Sequence, residues 1–269
     1  MTSVRPPSVA GLFYPAEPAL LARDVDGLLA AARRPGHADA PKALVVPHAG
    51  YVYSGPIAAT AYAALRPWAE SAGDDARIVL LGPAHRVRAA GLVLPDAGAL
   101  QTPLGLVPVD AAAVALLRAM PQVSVSAGVH AREHSLEVHL PFLQRILPSF
   151  SVVPLAVGDA SPADVAAVID ALWGGDETRI IISSDLSHYL PYATARRVDE
   201  ATAAAIERTD GVDPEHACGA RAINGLSLVA RRRAMRVERL DLRSSGDTAG
   251  SADEVVGYGA FAYFDRASD

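Results

Sequence analysis

The sequence predicts an α/β fold: a single-domain layered sheet, largely parallel or mixed, with helices on both faces. Three observations carry this. Strand-like apolar runs alternate with helix-like segments, as in a sheet covered by helices. The early runs, Ala43-Leu44-Val45-Val46 and Ile78-Val79-Leu80-Leu81, are continuously apolar, as strands buried on both faces require. No long linker, repeat or low-complexity tract interrupts the 269 residues, so one domain over residues 1–269 is expected.

The elements follow in order. A helix is predicted over residues 18–32 and a strand over 43–46. The next helix, 56–70, is started at Pro56 after Ser54-Gly55, a good helix-start signal. Strands at 78–81 and 91–94 lead to helices at 111–120 and 136–147. A strand at 152–157 precedes a helix at 162–173, where Pro162 follows Ser161. A strand at 179–183 is followed by helices at 194–208 and 222–232. Strands at 236–242 and 256–264 close the chain, the last one antiparallel or at an edge. Segments 34–41 and 71–76 read as ordinary connections.

Composition narrows the function classes. With 51% apolar residues the chain can bury a core without a disulfide or a structural metal. Its one cysteine, Cys218, excludes an internal disulfide and any multi-thiolate zinc site, and reads as a buried, inert thiol. A net charge of −6 argues against nucleic-acid binding. The Arg231-Arg232-Arg233 cluster reads as a solvated helix end. No signal peptide or membrane-length apolar run is evident, so a soluble, cytoplasmic protein is expected.

Histidines recur just beyond strand-like runs. His48 follows 43–46, His85 follows 78–81, and Asp185 and His188 follow 179–183. Ligands collect outside the carboxyl ends of strands in an open α/β sheet, so the repetition points to a metal or acid–base site. His48 or His85 alone would more often be structural, whereas His188, in a polar run directly after a buried strand, is expected to face a cleft. Glu133 and His134 sit where a loop can reach that site, whereas Glu137 and His139 are expected on a helix surface, and the Glu133–His139 run lacks the spacing of a zincin helix. His37, His130 and His216 have no supporting context and are taken as surface residues. The run Ser244-Ser245-Gly246-Asp247 reads equally as a turn or as a carboxylate completing the site.

These segments, together with Arg5–Pro15, Pro47–Gly55, Gly82–His85, Glu133–Leu143, Ser183–Tyr189 and Val256-Gly257-Tyr258, resemble the MEMO family, the B component of the AmmeMemoRadiSam gene set. The resemblance implies a fold shared with class III extradiol (LigB-type) non-haem iron dioxygenases. It implies His48, His85 and Asp247 as metal ligands and His188 as acid–base catalyst. Eukaryotic relatives carry cysteine at the position that Asp247 occupies in this chain. A carboxylate there completes a two-histidine, one-carboxylate set, which suits Fe(II), with copper or zinc as alternatives. Asp185 would orient His188 or support the site, and Tyr51, Tyr189, Glu133 and His134 would contact substrate. The expected activity is oxidation of a small diol or aromatic substrate by dioxygen. A peptide- or phosphopeptide-binding module and a metal-dependent hydrolase stand as alternatives. The resemblance also implies a functional link to AMMECR1-like and radical SAM proteins.

Overall fold

Along the central strands, alternate side chains enter two separate apolar layers, as the period of two in a strand dictates. Leu44, Val46, Ile78, Leu80 and Ile181 join one layer, with Tyr62, Trp68 and Phe142. Ala43, Val45, Val79, Leu81, Ile180 and Ile182 join the other, with Val168, Ile206 and Leu226. The continuous apolar runs of the sequence thus reflect strands covered on both faces. The computed structural model describes residues 3–33 and 39–265. His37 and most of the segment 34–41 lie outside the described residues.

Among the described residues twelve strands are formed: β1 (Val4–Arg5), β2 (Ala43–Val46), β3 (Arg77–Pro83), β4 (Leu92–Leu94), β5 (Ala99–Thr102), β6 (Gly105–Pro108), β7 (Val123–Val125), β8 (Ser151–Val157), β9 (Thr178–Ser183), β10 (His188–Leu190), β11 (Arg236–Ser244) and β12 (Val255–Phe264). Strands β1, β5 and β6 make a small sheet. The main sheet runs β10-β12-β2-β9-β3-β8-β4-β7, with β11 also paired to β12. Its centre, β2-β9-β3-β8, is parallel. β12 runs antiparallel to β2 and to β11.

The helices are α1 (Pro18–Ala31), α2 (Tyr51–Ala63), α3 (Arg66–Ala69), α4 (Ala111–Leu117), α5 (Ala127–Ala131), α6 (Leu140–Ile146), α7 (Pro162–Ala171), α8 (Tyr192–Glu207) and α9 (Ala220–Arg232). The start at Pro162 is held by a capping box between Ser161 and Asp164. The expected start at Pro56 is corrected: α2 begins at Tyr51 and carries Pro56 inside its second turn, where the ring replaces a backbone donor. The expected helix over 136–147 is a 3-10 turn at Glu137–His139 followed by α6. β12 is antiparallel as expected but flanked on both sides, so it is not an edge. No described helix is long and apolar enough to cross a membrane.

Candidate metal centre

Three neighbouring parallel strands deliver the site. In the order β2-β9-β3, their carboxyl ends lead into His48, Asp185 and His85. The His48 and His85 ring centroids stand 5.1 Å apart, nearly edge-on. His134 comes from the loop after α5, stacking on His85 at 4.9 Å and meeting His48 edge-on at 5.5 Å. Phe13 covers His134 at 4.8 Å.

The third partner of His48 and His85 is Cys218. Its Sγ lies 3.4 Å from His48 Nε2, and the donor atoms of His48, His85 and Cys218 all fall within 4.8 Å of one another. Cys218 belongs to the turn before α9 and reaches the strand ends because Gly219 packs directly on β9. A Cβ on Gly219 would meet the Ser183 carbonyl oxygen at 2.5 Å. The Asp185 N–H donates to Sγ at 3.3 Å, and the Cys218 N–H donates to the Asp185 carbonyl at 3.3 Å. These spatial partners, His48 and Asp185, are ones that the sequence neighbours of Cys218 do not disclose.

Asp247 does not join this group. It is exposed, accepts from the Tyr192 hydroxyl at 2.6 Å, and closes its own turn by accepting from the Ser244 N–H and hydroxyl at 2.7 and 2.9 Å. It belongs to neither cluster of potential metal ligands among the described residues, His48–His85–Cys218 and His85–Glu133–His134. The geometry groups His48 and His85 with the Cys218 thiol and leaves the Asp247 carboxylate outside that group.

Hydrogen bonding fixes the tautomer of His48. The Ser183 hydroxyl has one proton, donated to the Ser135 carbonyl at 2.6 Å. Its oxygen must then accept from His48 Nδ1–H at 2.6 Å, leaving Nε2 with a bare lone pair. Burial, followed by repulsion from His85 and the other histidines, pushes the His48 pKa well down, so the ring stays neutral. Burial pushes the Cys218 thiol up to about 12 without an ion, and a bound cation would deprotonate it. A neutral imidazole, a second imidazole and a displaceable thiol proton are a donor set that fits a divalent or soft monovalent metal.

Asp185 is buried behind His48. Its Oδ1 accepts from the His48 N–H at 2.8 Å, and its Oδ2 lies 3.9 Å from His48 Nε2. Burial pushes its carboxyl up to about 7, against the opposing pull of the His48 N–H. Its carboxylate takes the backbone N–H groups of His48 and Ala49 and its main chain meets the Cys218 turn, so it supports His48 rather than orienting His188. His188 stands on the rim in β10, in neither ligand cluster but close enough to His85 and His48 for mutual repulsion. Tyr189 beside it is 70% exposed with φ +56°, a strained conformation for a bulky residue.

Glu133 and His134 are brought to the site. Burial would raise the Glu133 carboxyl, but bonds from His85 and the Ser135 N–H hold it down to about 2. Tyr51 is turned into the core, donating to the Val138 carbonyl at 2.6 Å and packing against Tyr14 and Phe142. The expected surface placement of Glu137, His139 and His130 is corrected, because all three are buried. Glu137 pairs with Arg5, and His139 Nδ1 meets the Tyr62 hydroxyl at 2.8 Å. His130 Nε2 donates to the Val93 carbonyl at 2.7 Å. His216 is exposed as expected. A cleft of about 1280 Å³ between α1, α2 and β11 is lined by no histidine among the described residues, so donor chemistry rather than volume locates the centre.

The chain is thus a three-layered α/β protein with an imidazole–thiol cluster at the carboxyl ends of its parallel strands. Residues 5–262 match the Memo-like protein family, and the chain belongs to that family. It is 35% identical to a MEMO1 family protein of Methanothermobacter thermautotrophicus, over 95% of this chain and 98% of the relative. It is 34% identical to one of Thermotoga maritima (94% and 97% covered) and 32% identical to one of Aquifex aeolicus (95% and 97%).

Proposed function

We propose that this chain is a metal-dependent oxidoreductase of the dioxygenase-like type, acting on a small diol or aromatic molecule, with one ion held by His48, His85 and Cys218. The observation that supports it is the meeting of a bare His48 Nε2, His85 and the Cys218 thiol within 4.8 Å. Three protein donors leave coordination positions open, and an ion held there would polarise a bound substrate oxygen and, if redox-active, exchange electrons with it.

The chain's own residues supply the rest. Neutral His188 on the rim is suited to take a proton from a substrate hydroxyl and return it later. Asp185 holds the His48 backbone and carries a proton near neutral pH. His134 and Phe13 form one wall. With Asp247 outside it, the His48–His85–Cys218 set contains no carboxylate to select Fe(II). A thiolate favours copper(I) or zinc(II) relative to a carboxylate, with iron(II) still compatible with the imidazoles. A cytoplasmic setting belongs to the same proposal, because a single thiol used as a ligand must stay reduced.

The thiolate also favours a second reading, a metal-dependent hydrolase built on redox-silent zinc(II). The test is anaerobic loading with Fe(II), Cu(I) or Zn(II), followed by oxygen uptake with a panel of catechols and related diols, and by hydrolysis of an ester and amide panel. Metal-dependent oxygen uptake lost in Cys218→Ala supports the oxidoreductase. Hydrolysis by the zinc form alone would replace that reading with the second.

A further inference from the structure

Glu133 is a buried carboxylate with two of its three hydrogen bonds on one neighbouring residue, His85, one to its backbone and one to its ring. Its Oε2 accepts from the His85 backbone N–H at 2.6 Å. Its Oε1 faces His85 Nδ1 at 3.0 Å and accepts from the Ser135 N–H at 2.9 Å. The carboxylate is 1% exposed and so has little water to turn to. Both oxygens already accept from backbone N–H groups, so the carboxylate is the acceptor and His85 Nδ1 the donor toward it, which in the neutral, metal-binding form of the ring leaves Nε2 bare. Arg5 fixes the same loop from the N-terminal strand, donating to the Glu133 carbonyl at 2.6 Å and to the His130 carbonyl at 3.1 Å.

We propose that Glu133 is a positioning residue that fixes both the backbone and the tautomer of His85, presenting its Nε2 lone pair to the metal. It therefore is not a substrate contact, and the proposal rests on a metal being held by His48, His85 and Cys218. The same loop serves the other histidine: the Ser135 carbonyl takes the Ser183 hydroxyl proton, which sets His48. Segment 133–135 thus governs both imidazoles.

Glutamine is the informative replacement. It offers one acceptor and one NH2 donor, while His85 presents two donors, N–H and Nδ1–H. Either the backbone bond or the ring bond must fail, or the ring must switch tautomer and place its proton on Nε2. The experiment combines 15N-imidazole NMR of the metal-free full chain with cobalt(II) titration, in wild type, Glu133→Gln, Glu133→Ala and Cys218→Ala. The thiolate–cobalt charge-transfer band reports whether Cys218 is bound. The expected result is His85 protonated at Nδ1 in wild type, a changed or averaged tautomer in Glu133→Gln, and cobalt affinity lower by roughly 10–100-fold in both Glu133 variants. The thiolate band should persist at saturating cobalt. A wild-type His85 protonated at Nε2 overturns the proposal without any variant. Unchanged tautomer and affinity in Glu133→Gln overturn it while sparing the metal site. Wild type that binds no cobalt, or Cys218→Ala that binds it equally, overturns the metal reading and this proposal with it.

Discussion

Ser183 accepts from His48 Nδ1 at 2.6 Å while donating its only proton to the Ser135 carbonyl at 2.6 Å. A hydroxyl at the end of β9 therefore decides which nitrogen of His48 is free. Ser183→Ala should leave Nδ1–H buried without a partner and release the tautomer. Metal affinity should fall by roughly 10–100-fold, read by competition titration, with the fold retained by circular dichroism. Wild-type affinity would show that packing alone orients the ring.

The buried Arg5–Glu137 pair predicts a large stability effect far from any chemistry. Glu137 also accepts from the N–H groups of Ser8 and Val9 and from the Tyr14 hydroxyl, binding the N-terminal segment to the body. Glu137→Ala strands a buried guanidinium and should cost about 3–5 kcal/mol in urea denaturation. The exposed Arg145–Asp26 pair is the contrast: Asp26→Ala should change stability by about 0.5 kcal/mol or less, despite its bidentate geometry. Equal costs at the two sites would contradict this ranking.

Much of the site is legible in the sequence, because buried parallel strands are read easily and His48, His85, Asp185 and His188 follow them directly. Cys218 is not legible. It comes from a turn before a helix rather than from a strand end, and a lone cysteine has no spacing pattern to recognise. Asp247 misleads for a geometric reason. β11 runs parallel to β2, so its end lies on the correct edge of the sheet. It is, however, two strands away from β2, roughly 10 Å at ordinary strand spacing. Pro56 misleads because a helix-start residue is also tolerated within an early turn when other contacts hold the helix.

Asp185 gives the metal-free chain a recognisable pH dependence. Burial pushes its folded-state pKa up to about 7, against about 3.9 in an unfolded chain. Between those values the unfolded chain has released a proton that the folded chain keeps. This component of stability is therefore full below about pH 4, falls as pH rises, and levels off above about 7. Asp185→Asn keeps an acceptor for the His48 N–H and removes the titration. Its stability relative to wild type should rise between pH 5 and pH 8 in chelator-treated samples, and parallel profiles would contradict the assignment.

His188 should separate binding from chemistry. It lies outside both ligand clusters, so His188→Ala should retain metal at the wild-type stoichiometry. Any metal-dependent turnover should fall by roughly 10²–10⁴-fold if the imidazole moves a proton. Loss of metal as complete as in His85→Ala would make His188 a ligand instead.

Everything proposed for the metal centre turns on the third donor being the Cys218 thiol and not the Asp247 carboxylate. Metal content after anaerobic loading and desalting, compared among wild type, Cys218→Ala and Asp247→Ala, decides between them. Cys218→Ala should lose the ion and the thiolate–metal absorption band, while Asp247→Ala, which removes only a partner of Tyr192 and Ser244, should keep both. Full occupancy in Cys218→Ala together with an empty Asp247→Ala would make the carboxylate the ligand and remove the thiol from the site.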